Sequence, residues 1–490
     1  MLGPSAAEIV TESGEEGASM TRLTLRFAFY TLLISLFVLL LSRRAEAVPD
    51  LAAQTGQPCT MCHVGGFGPQ LTPFGRAFKI GGYTQTGGEG WASQVPLSLM
   101  VQSSFTNTNT SLPADQIPHH YGSNNNFSID QVSGFIAGGL GPYTGGFMQF
   151  TYSPVDNSSH VDNTDLRPFT TVFSIGEHSL RVGTTLNNNP TVQDPYNSTY
   201  AWGFPFISSA IAPMPAANPM LAAGFNNNSI GYTVYAWYDK SLYLEAGAYN
   251  TLSPWTLARV GVDYGIGATT SPAPYVRAAY EWDWNDQAAH VGATFMYANV
   301  NPPNGIAFQT DGSMGTDQYA DYSLDASYQY LGDGTHIVTV QGIFTHENQN
   351  LNGSTAFFNA NNGTSVGSNY NLNQIRLNAA YWYQNTYGVT LGWQNSWGPA
   401  NPVLYPSPAY GGSDVYGSAN SKPNSNAFII EADWVPFGKD SSWLSPWANL
   451  KLGLQYTAYT QFNGGTSNYD GFGRNASGNN TLLLFAWMAF

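Results

Sequence analysis

The sequence predicts an all-β fold, an antiparallel β-barrel of about 16 membrane-spanning strands preceded by a short N-terminal segment. From residue 95 onwards the chain repeats units of about ten residues in which apolar side chains alternate with small or polar ones. Aromatic residues make up 14% of the chain and charged residues only 10%, against about 25% charged residues in average soluble domains. Residues 481–490 alternate in the same way and end on Phe490, which resembles the terminal strand of outer-membrane barrels.

The N-terminus has the features of an export signal. Basic residues precede an apolar run at residues 27–41, and a small-residue site at residues 45–47 follows it. We expect residues 1–47 to be a signal peptide cleaved before Val48, with Met20 as the alternative start. The other interpretation is an uncleaved anchor helix, but a run of about 15 apolar residues is shorter than the roughly 20 that span a bilayer.

The strand candidates carry apolar or aromatic residues at every second position. Clear examples are residues 231–238, 241–248, 335–345, 373–381, 387–393, 427–434, 449–456 and 481–490. Tight links such as Asp239-Lys240 predict turns at one end of the barrel, and the long polar stretches 350–370 and 398–424 predict loops at the other.

About 17 candidate strands can be counted, but bacterial single-chain barrels have an even number. We therefore predict 16 strands within a barrel domain at residues 91–490, with 18 as the alternative. The ambiguous region is 188–229, in which residues 200–212 are either a helix folded into the pore or a further strand.

Residues 48–90 contain the only two cysteines, in the run Cys59-Thr60-Met61-Cys62-His63. Two thiols one helical turn apart can add to the two vinyl groups of haem, and the adjacent imidazole reaches the iron from the same face. The pattern predicts one covalently attached haem c, bound by Cys59 and Cys62 with His63 as the iron ligand. Three other uses of the cysteines fit less well. A zinc site needs four ligands, and a thioredoxin-type motif needs a βαβ context. A disulfide between such close cysteines is strained.

A segment of roughly 40 residues is too small to enclose a haem alone, so we expect the barrel lumen or its rim to complete the pocket. Arg76 and Lys79 are either partners of the haem propionates or ordinary surface charges. The sixth iron ligand is left open, and the candidates are Met100, Met148, His119, His120, His160 and His178.

The chain is acidic, with 31 Asp and Glu against 16 Lys and Arg and a formal net charge of −15. This balance excludes nucleic acid as a partner, because phosphate binding needs a basic surface. Cations are the favoured partners. The candidate iron-binding acids are Asp115, Asp156, Asp162 and Asp165. The alternative is that each of them is an ordinary solvated loop residue.

The N-terminal segment resembles the fused cytochrome-porin family of outer-membrane iron-oxidising c-type cytochromes. The residues that carry the resemblance are Gln54-Thr55-Gly56, Cys59-x-x-Cys62-His63, Pro69-x-Leu71, Phe74-Gly75-Arg76-x-Phe78-Lys79 and Gly82-Tyr83. The barrel is similar to that family only in architecture. The resemblance implies a haem that takes electrons from extracellular Fe(II) and passes them to a periplasmic cytochrome or other carrier, as an Fe(II):cytochrome c oxidoreductase. Two alternatives stay open: a diffusion porin with a haem-bearing plug, and outward electron delivery to an extracellular acceptor.

Overall fold

The computed structural model describes residues 50–89, 91–199, 202–412, 415–439, 441–444 and 448–490. The predicted signal peptide, residues 1–47, lies outside this described part. The strands are β1 Leu97–Thr108, β2 Asn126–Gly139, β3 Gly145–Ser153, β4 Ser158–Ile175, β5 His178–Asn187, β6 Ser229–Tyr238, β7 Leu242–Thr251, β8 Ala268–Thr269, β9 Ala273–Trp284, β10 Gln287–Asn301, β11 Asp317–Tyr330, β12 His336–Leu351, β13 Asn369–Tyr383, β14 Tyr387–Trp397, β15 Ser425–Trp434, β16 Asn449–Gln461 and β17 Thr481–Ala489. The α-helices of the described residues are α1 Asp50–Thr55, α2 Cys59–Cys62, α3 Pro73–Ile80, α4 Pro254–Val260 and α5 Asn352–Asn362, and short 3₁₀ or π turns lie at Val64–Gly66, Trp91–Gln94, Ala114–Gln116, Met220–Gly224, Pro408–Tyr410 and Ala476–Asn479. None of the helices in this part of the chain is both long and apolar enough to cross a membrane.

The strands form one antiparallel sheet that closes on itself, because β1 pairs with both β2 and β17. Strand β8 has only two residues and pairs with the end of β10, whereas β7 pairs directly with β9. Sixteen of the seventeen strands therefore build the wall. This confirms the prediction of 16 strands, and the alternative of 18 is wrong.

The two ends of the barrel differ in the length of their connections. One end has the tight connections 176–177, 239–241, 285–286 and 384–386, while the other has long ones such as 252–272 and 398–424. Asp239 and Lys240 adopt φ values of 47° and 54°, as the two central residues of a type I′ turn do. Short turns lie on the periplasmic side of outer-membrane barrels, so the first end is periplasmic and the second extracellular. The exceptions are the short connection 154–157 at the extracellular end and the longer 435–448 at the periplasmic end.

The outward face of the wall is apolar. Leu324 on β11 is 63% exposed, and its strand neighbours Asp325 and Ser323 are buried on the inside, as the period of two requires. Exposed aromatic side chains gather near the periplasmic turns, namely Tyr238, Trp282, Trp284, Tyr328, Tyr330, Tyr381, Tyr383, Tyr387 and Trp434. An apolar band with an aromatic girdle is the surface of a barrel in lipid.

The connection between β5 and β6 folds into the lumen. Residues 189–199 are all buried, and wall side chains hold the loop: Arg167 Nη2 donates to the Gln193 carbonyl at 2.7 Å, and Gln455 Nε2 donates to the Ile207 carbonyl at 3.0 Å. The prediction that residues 200–212 form a helix or a strand is wrong for the described residues 202–212, which are irregular. Wall side chains hold these residues, and one π-helical turn, Met220–Gly224, follows them in the same connection.

The stretch 350–370 also differs from the prediction of a polar loop. Its centre is helix α5, which ends at Gly363 with φ 59°. Glycine adopts this left-handed conformation at little cost, so it ends the helix. The sequence signal for a helix was weak because Asn and Gly dominate the stretch.

Candidate functional site

Residues 50–89 lie inside the barrel at its periplasmic end. The Gly65 amide donates to Asn385 Oδ1 at 2.9 Å, and Asn449 Nδ2 donates to the Gly66 carbonyl at 2.6 Å. Asn385 belongs to a short periplasmic turn and Asn449 begins β16. These bonds fix the cysteine motif at the end of the lumen that faces the periplasm.

The cysteine motif forms one helical turn. The His63 amide donates to the Cys59 carbonyl at 2.9 Å, which closes the turn of α2 and brings Cys59, Cys62 and His63 to the wall of one cavity. Helix α3 packs tightly against this turn at Gly75, where an added Cβ would collide with the Cys62 carbonyl. The three residues predicted from sequence therefore meet at a single site.

Burial shifts the pKa of all three groups toward the neutral form. It raises the pKa of the Cys59 thiol to about 11 and that of Cys62 to about 12, and it lowers the pKa of His63 to about 4. The two cysteines are free thiols, so the alternative of a disulfide is not realised. The buried Nδ1 of His63 makes no hydrogen bond within the described part of the chain. A neutral imidazole is the form that binds a metal.

The cavity has a volume of about 650 Å³, within the range of roughly 300–1,000 Å³ typical of ligand and cofactor sites. Its apolar wall comes from the N-terminal segment, the strands and the inward loop together, and includes Phe67, Phe135, Phe147, Trp202, Phe206 and Trp487. Two thiols and an imidazole facing such a wall are the donor set that a covalently attached, planar, largely apolar group requires. The zinc alternative lacks ligands, because no three His, Cys, Asp or Glu side chains cluster as a metal site among the residues described.

The two basic residues of α3 have different surroundings. Arg76 Nε donates to Glu281 Oε1 at 2.8 Å and does not line the cavity, so it is neither a propionate partner nor a solvated charge. Lys79 lines the cavity, but its Nζ donates to the Asp194 carbonyl at 2.7 Å and to Asn197 at 2.9 Å. Burial lowers the pKa of Lys79 to about 8.

Of the candidates for the sixth iron ligand, only Met100 lines the cavity. Met100 lies on β1 and is 9% exposed. The inward loop adds Met214 to the same wall, a residue that sequence reasoning missed because nothing local indicates that its loop enters the lumen.

Of the four acids predicted as cation ligands, Asp162 alone lines the cavity. Asp165 is paired with Arg167 at 2.9 Å, and Asp115 and Asp156 are exposed. Asp130 on β2 also lines the cavity and was missed.

The closed strand pairing and the outward apolar band decide the class of this protein, because closed barrels are the only sheets that satisfy their backbone inside lipid. The chain is a porin-like outer-membrane β-barrel. Its lumen contains the N-terminal segment and the β5–β6 loop, and its buried ion pairs face inward, such as Arg277 with Asp325 at 2.8 Å and Lys451 with Glu431 at 2.9 Å.

No family model and no curated protein matches this barrel. Among solved structures, an anion-selective porin from Comamonas acidovorans is 13% identical over 80% of this chain and 98% of that chain, with a TM-score of 0.40. The outer membrane channel DcaP of Acinetobacter baumannii is 11% identical over 80% and 96%, with a TM-score of 0.41. Pseudomonas putida OprB is 12% identical over 80% and 93%, with a TM-score of 0.44. The fold class rests on the strand pairing and not on these low scores.

Proposed function

We propose that this barrel carries one haem c, attached through Cys59 and Cys62 with His63 as an iron ligand, and that it transfers electrons across the outer membrane. The proposed reductant is extracellular Fe(II), and the proposed acceptor is a periplasmic cytochrome or other carrier. One observation carries the proposal: both thiols and the imidazole line one largely apolar cavity inside a membrane-spanning wall.

The residues that line the cavity fit a covalently attached haem. Desolvation lowers the pKa of His63 to about 4, its Nδ1 makes no hydrogen bond within the described residues, and both thiols are free. When bound, haem supplies a one-electron centre whose potential depends on its ligands and its burial. The surrounding Phe and Trp side chains exclude water from that centre, and helix α3 holds the motif in place.

The position of the motif gives electrons a route from a bound haem toward the periplasm. Met61, between the two cysteines, is 40% exposed, and with Thr60 it lines a surface cavity beside the turn residues Asp333, Gln384 and Asn385. A carrier that docks at this end approaches the attachment loop directly.

The test is stopped-flow spectroscopy of the purified oxidised protein mixed with Fe(II), with the haem absorption bands as the signal. We expect reduction in the wild type and its loss in His63→Ala, with the barrel still folded. His119→Ala is the matched control, because His119 is exposed in the β1–β2 loop and its loss leaves reduction intact. A wild-type protein without haem bands, or with bands that Fe(II) leaves unchanged, would contradict the proposal.

The architecture favours a second candidate, a diffusion porin. Sixteen strands are enough to enclose an aqueous channel. Conductance in a planar bilayer separates the two functions, since a porin conducts ions whether or not Fe(II) reduces a haem. Outward electron delivery predicts instead that a reduced haem is oxidised by an extracellular acceptor.

A further inference from the structure

Two buried acids face each other on the inner wall, in the extracellular half of the barrel. Asp321 on β11 pairs directly with Glu347 on β12, and the two residues are 0% and 1% exposed. Residues directly opposite each other in an antiparallel pair have Cβ atoms about 5 Å apart, and a hydrogen bond joins the two carboxyl groups. Since an ionised carboxylate only accepts hydrogen bonds, this contact requires a proton on one of the two.

This pair has no cation beside it. Neither acid forms an ion pair with a lysine, arginine or histidine of the described residues. The acids of the inner wall that do have a lysine or arginine partner are Glu281, Asp165, Asp325, Glu431 and Asp433. The neutral amide of Gln349 donates to Glu347 Oε1 at 2.6 Å, and Asp321 Oδ1 is buried where no donor of the described residues reaches it. Two buried carboxylates without a cation repel each other, so a shared proton is what keeps them together.

The pair fastens a turn of the inward loop to the wall. The Met220 amide donates to Glu347 Oε2 at 2.5 Å, and the Leu221 amide donates to Asp321 Oδ2 at 2.6 Å. These two residues begin the π-helical turn Met220–Gly224. Each carboxyl group therefore holds one backbone amide, and the position of the turn depends on both acids.

The turn covers an apolar part of the inner wall. Met220 and Leu221 are each 1% exposed and belong to one buried cluster. The wall residues of that cluster lie on β7 and on β9 to β12, and they are Tyr249, Ala273, Tyr275, Met296, Ala298, Val300, Tyr319 and Leu351. Departure of the turn would expose this surface to the water of the lumen.

The titratable groups around the pair are tyrosines, one histidine and two acids that have partners of their own. The tyrosines and the histidine are Tyr249 on β7, Tyr275 on β9, Tyr319 on β11, Tyr370 on β13, Tyr405 in the connection 398–424, and His346 next to Glu347. On the inner face of β11, Asp317 accepts from the Ser354 amide at 3.0 Å and Asp325 pairs with Arg277 at 2.8 Å. Residues 211–230 contain no titratable side chain. Below the range in which tyrosine ionises, a change of charge between turn and wall comes from the pair or from His346, and the variants below separate these two sources.

We propose that Asp321 and Glu347 form a proton-operated latch on the inward loop. While the pair shares one proton, it holds Met220–Gly224 against the wall and keeps the apolar cluster covered. When the pH rises and the second carboxyl ionises, one side chain turns away toward water, because two adjacent buried charges repel each other, and the amide that it held loses its acceptor. The latch is closed at acid pH and opens as the pH rises. This inference goes beyond the proposed function and does not depend on a haem.

The test compares the full-length protein with the Asp321→Asn and Glu347→Gln double variant, whose amide oxygens still accept hydrogen bonds but cannot ionise. Hydrogen exchange of peptides that cover residues 217–224 is measured by mass spectrometry between about pH 5 and about pH 9, below the tyrosine range. The intrinsic exchange rates of these peptides are equal in the two proteins, so the ratio of wild-type to double-variant exchange reports the latch. We expect this ratio to rise with pH on the order of a hundredfold, the factor that two unit charges about 5 Å apart produce at an effective dielectric constant of about 20.

Glu245→Gln is the matched control. Glu245 is also a buried acid of the wall, 3% exposed, but it accepts from Thr233 and Tyr243 and not from the loop, so this variant should exchange as the wild type does. A second readout is Ala298→Cys, with labelling at residue 298 followed by peptide mass, because Ala298 belongs to the covered cluster. Relative to the same cysteine in the double variant, its labelling should rise with pH as the exchange does.

An exchange ratio that stays constant with pH would overturn the latch, since the double variant retains His346 and would then respond as the wild type does. A loss of the pH response in Glu245→Gln would overturn it as well. If exchange rises but residue 298 stays unlabelled, the turn does not uncover the wall and the latch is wrong. Either single amide variant gives the same comparison if the double variant does not fold, because one carboxylate alone has no like charge beside it.

Discussion

Gly65→Ala should loosen the cysteine motif without touching a cysteine. Gly65 has a φ of 71°, and an added Cβ would lie 2.5 Å from Cζ2 and 2.7 Å from Cδ2 of Trp382. Trp382 is 2% exposed and packs with Val64 and Val435, so its indole has little room to move. The left-handed backbone costs about 1–2 kcal/mol for alanine, and overpacking costs about 1–3 kcal/mol more. We expect the docked segment to lose about 2–5 kcal/mol of stability.

The assay is the rate of thiol labelling in protein made without haem attachment, because the buried Cys59 reacts only when the segment opens. A loss of about 2–5 kcal/mol predicts labelling faster by roughly 30-fold to several thousandfold. Gly68→Ala is the matched control: its φ of 98° imposes a similar backbone cost, but its Cβ would meet no atom within 4 Å. If Gly65→Ala labels no faster than Gly68→Ala, the packing of the motif against Trp382 is not what holds it.

Three further predictions concern the lipid face, the docking of the segment and the sixth ligand. Leu324 lies at the middle of β11 on the outward face, so Leu324→Lys should lower the free energy of unfolding in a bilayer by about 2–4 kcal/mol. Denaturant titration measures this loss. The control Ile306→Lys, in the exposed β10–β11 loop, should change the free energy of unfolding little. Burial raises the pKa of Asp50 from 3.8 to about 7, so the contribution of its protonated carboxyl to docking is complete below pH 3.8 and is lost as the pH rises through about 7. Asp50→Asn should remove that loss. The rate of proteolysis of the segment should then rise with pH in the wild type but not in Asp50→Asn. Met100→Leu should lower the haem midpoint potential, because a thioether ligand raises that potential. The same substitution should abolish the thioether charge-transfer band of the oxidised protein. If Met214→Leu causes both changes and Met100→Leu causes neither, the sixth ligand belongs to the inward loop.

The barrel could be predicted because its signal is local. Each strand carries a period of two, and tight turns such as Asp239-Lys240 have the residue types that a type I′ conformation tolerates. The inward loop 188–228 could not be predicted, since it has no period and is held by Arg167, Arg277 and Gln455 on the wall. Those partners are distant in sequence, and no window around the loop contains them.

The same distinction applies to the site. That Cys59, Cys62 and His63 lie together was predictable, because one helical turn brings them to one cavity. Asp130 and Met214 were not, because their place in the cavity depends on a register shift between β1 and β2 in one case and on the path of a long loop in the other. Sequence therefore predicts the covalent motif, whereas the chemistry of the cavity wall requires the strand pairing.

The central claim is that Cys59 and Cys62 hold a haem inside this barrel. The most direct measurement is the intact mass of the full-length protein, made in a host that attaches haem c, after extraction with acidified acetone. We predict one haem per chain that resists extraction, with no free thiol left to label. A protein with its polypeptide mass alone and two reactive thiols would contradict the claim.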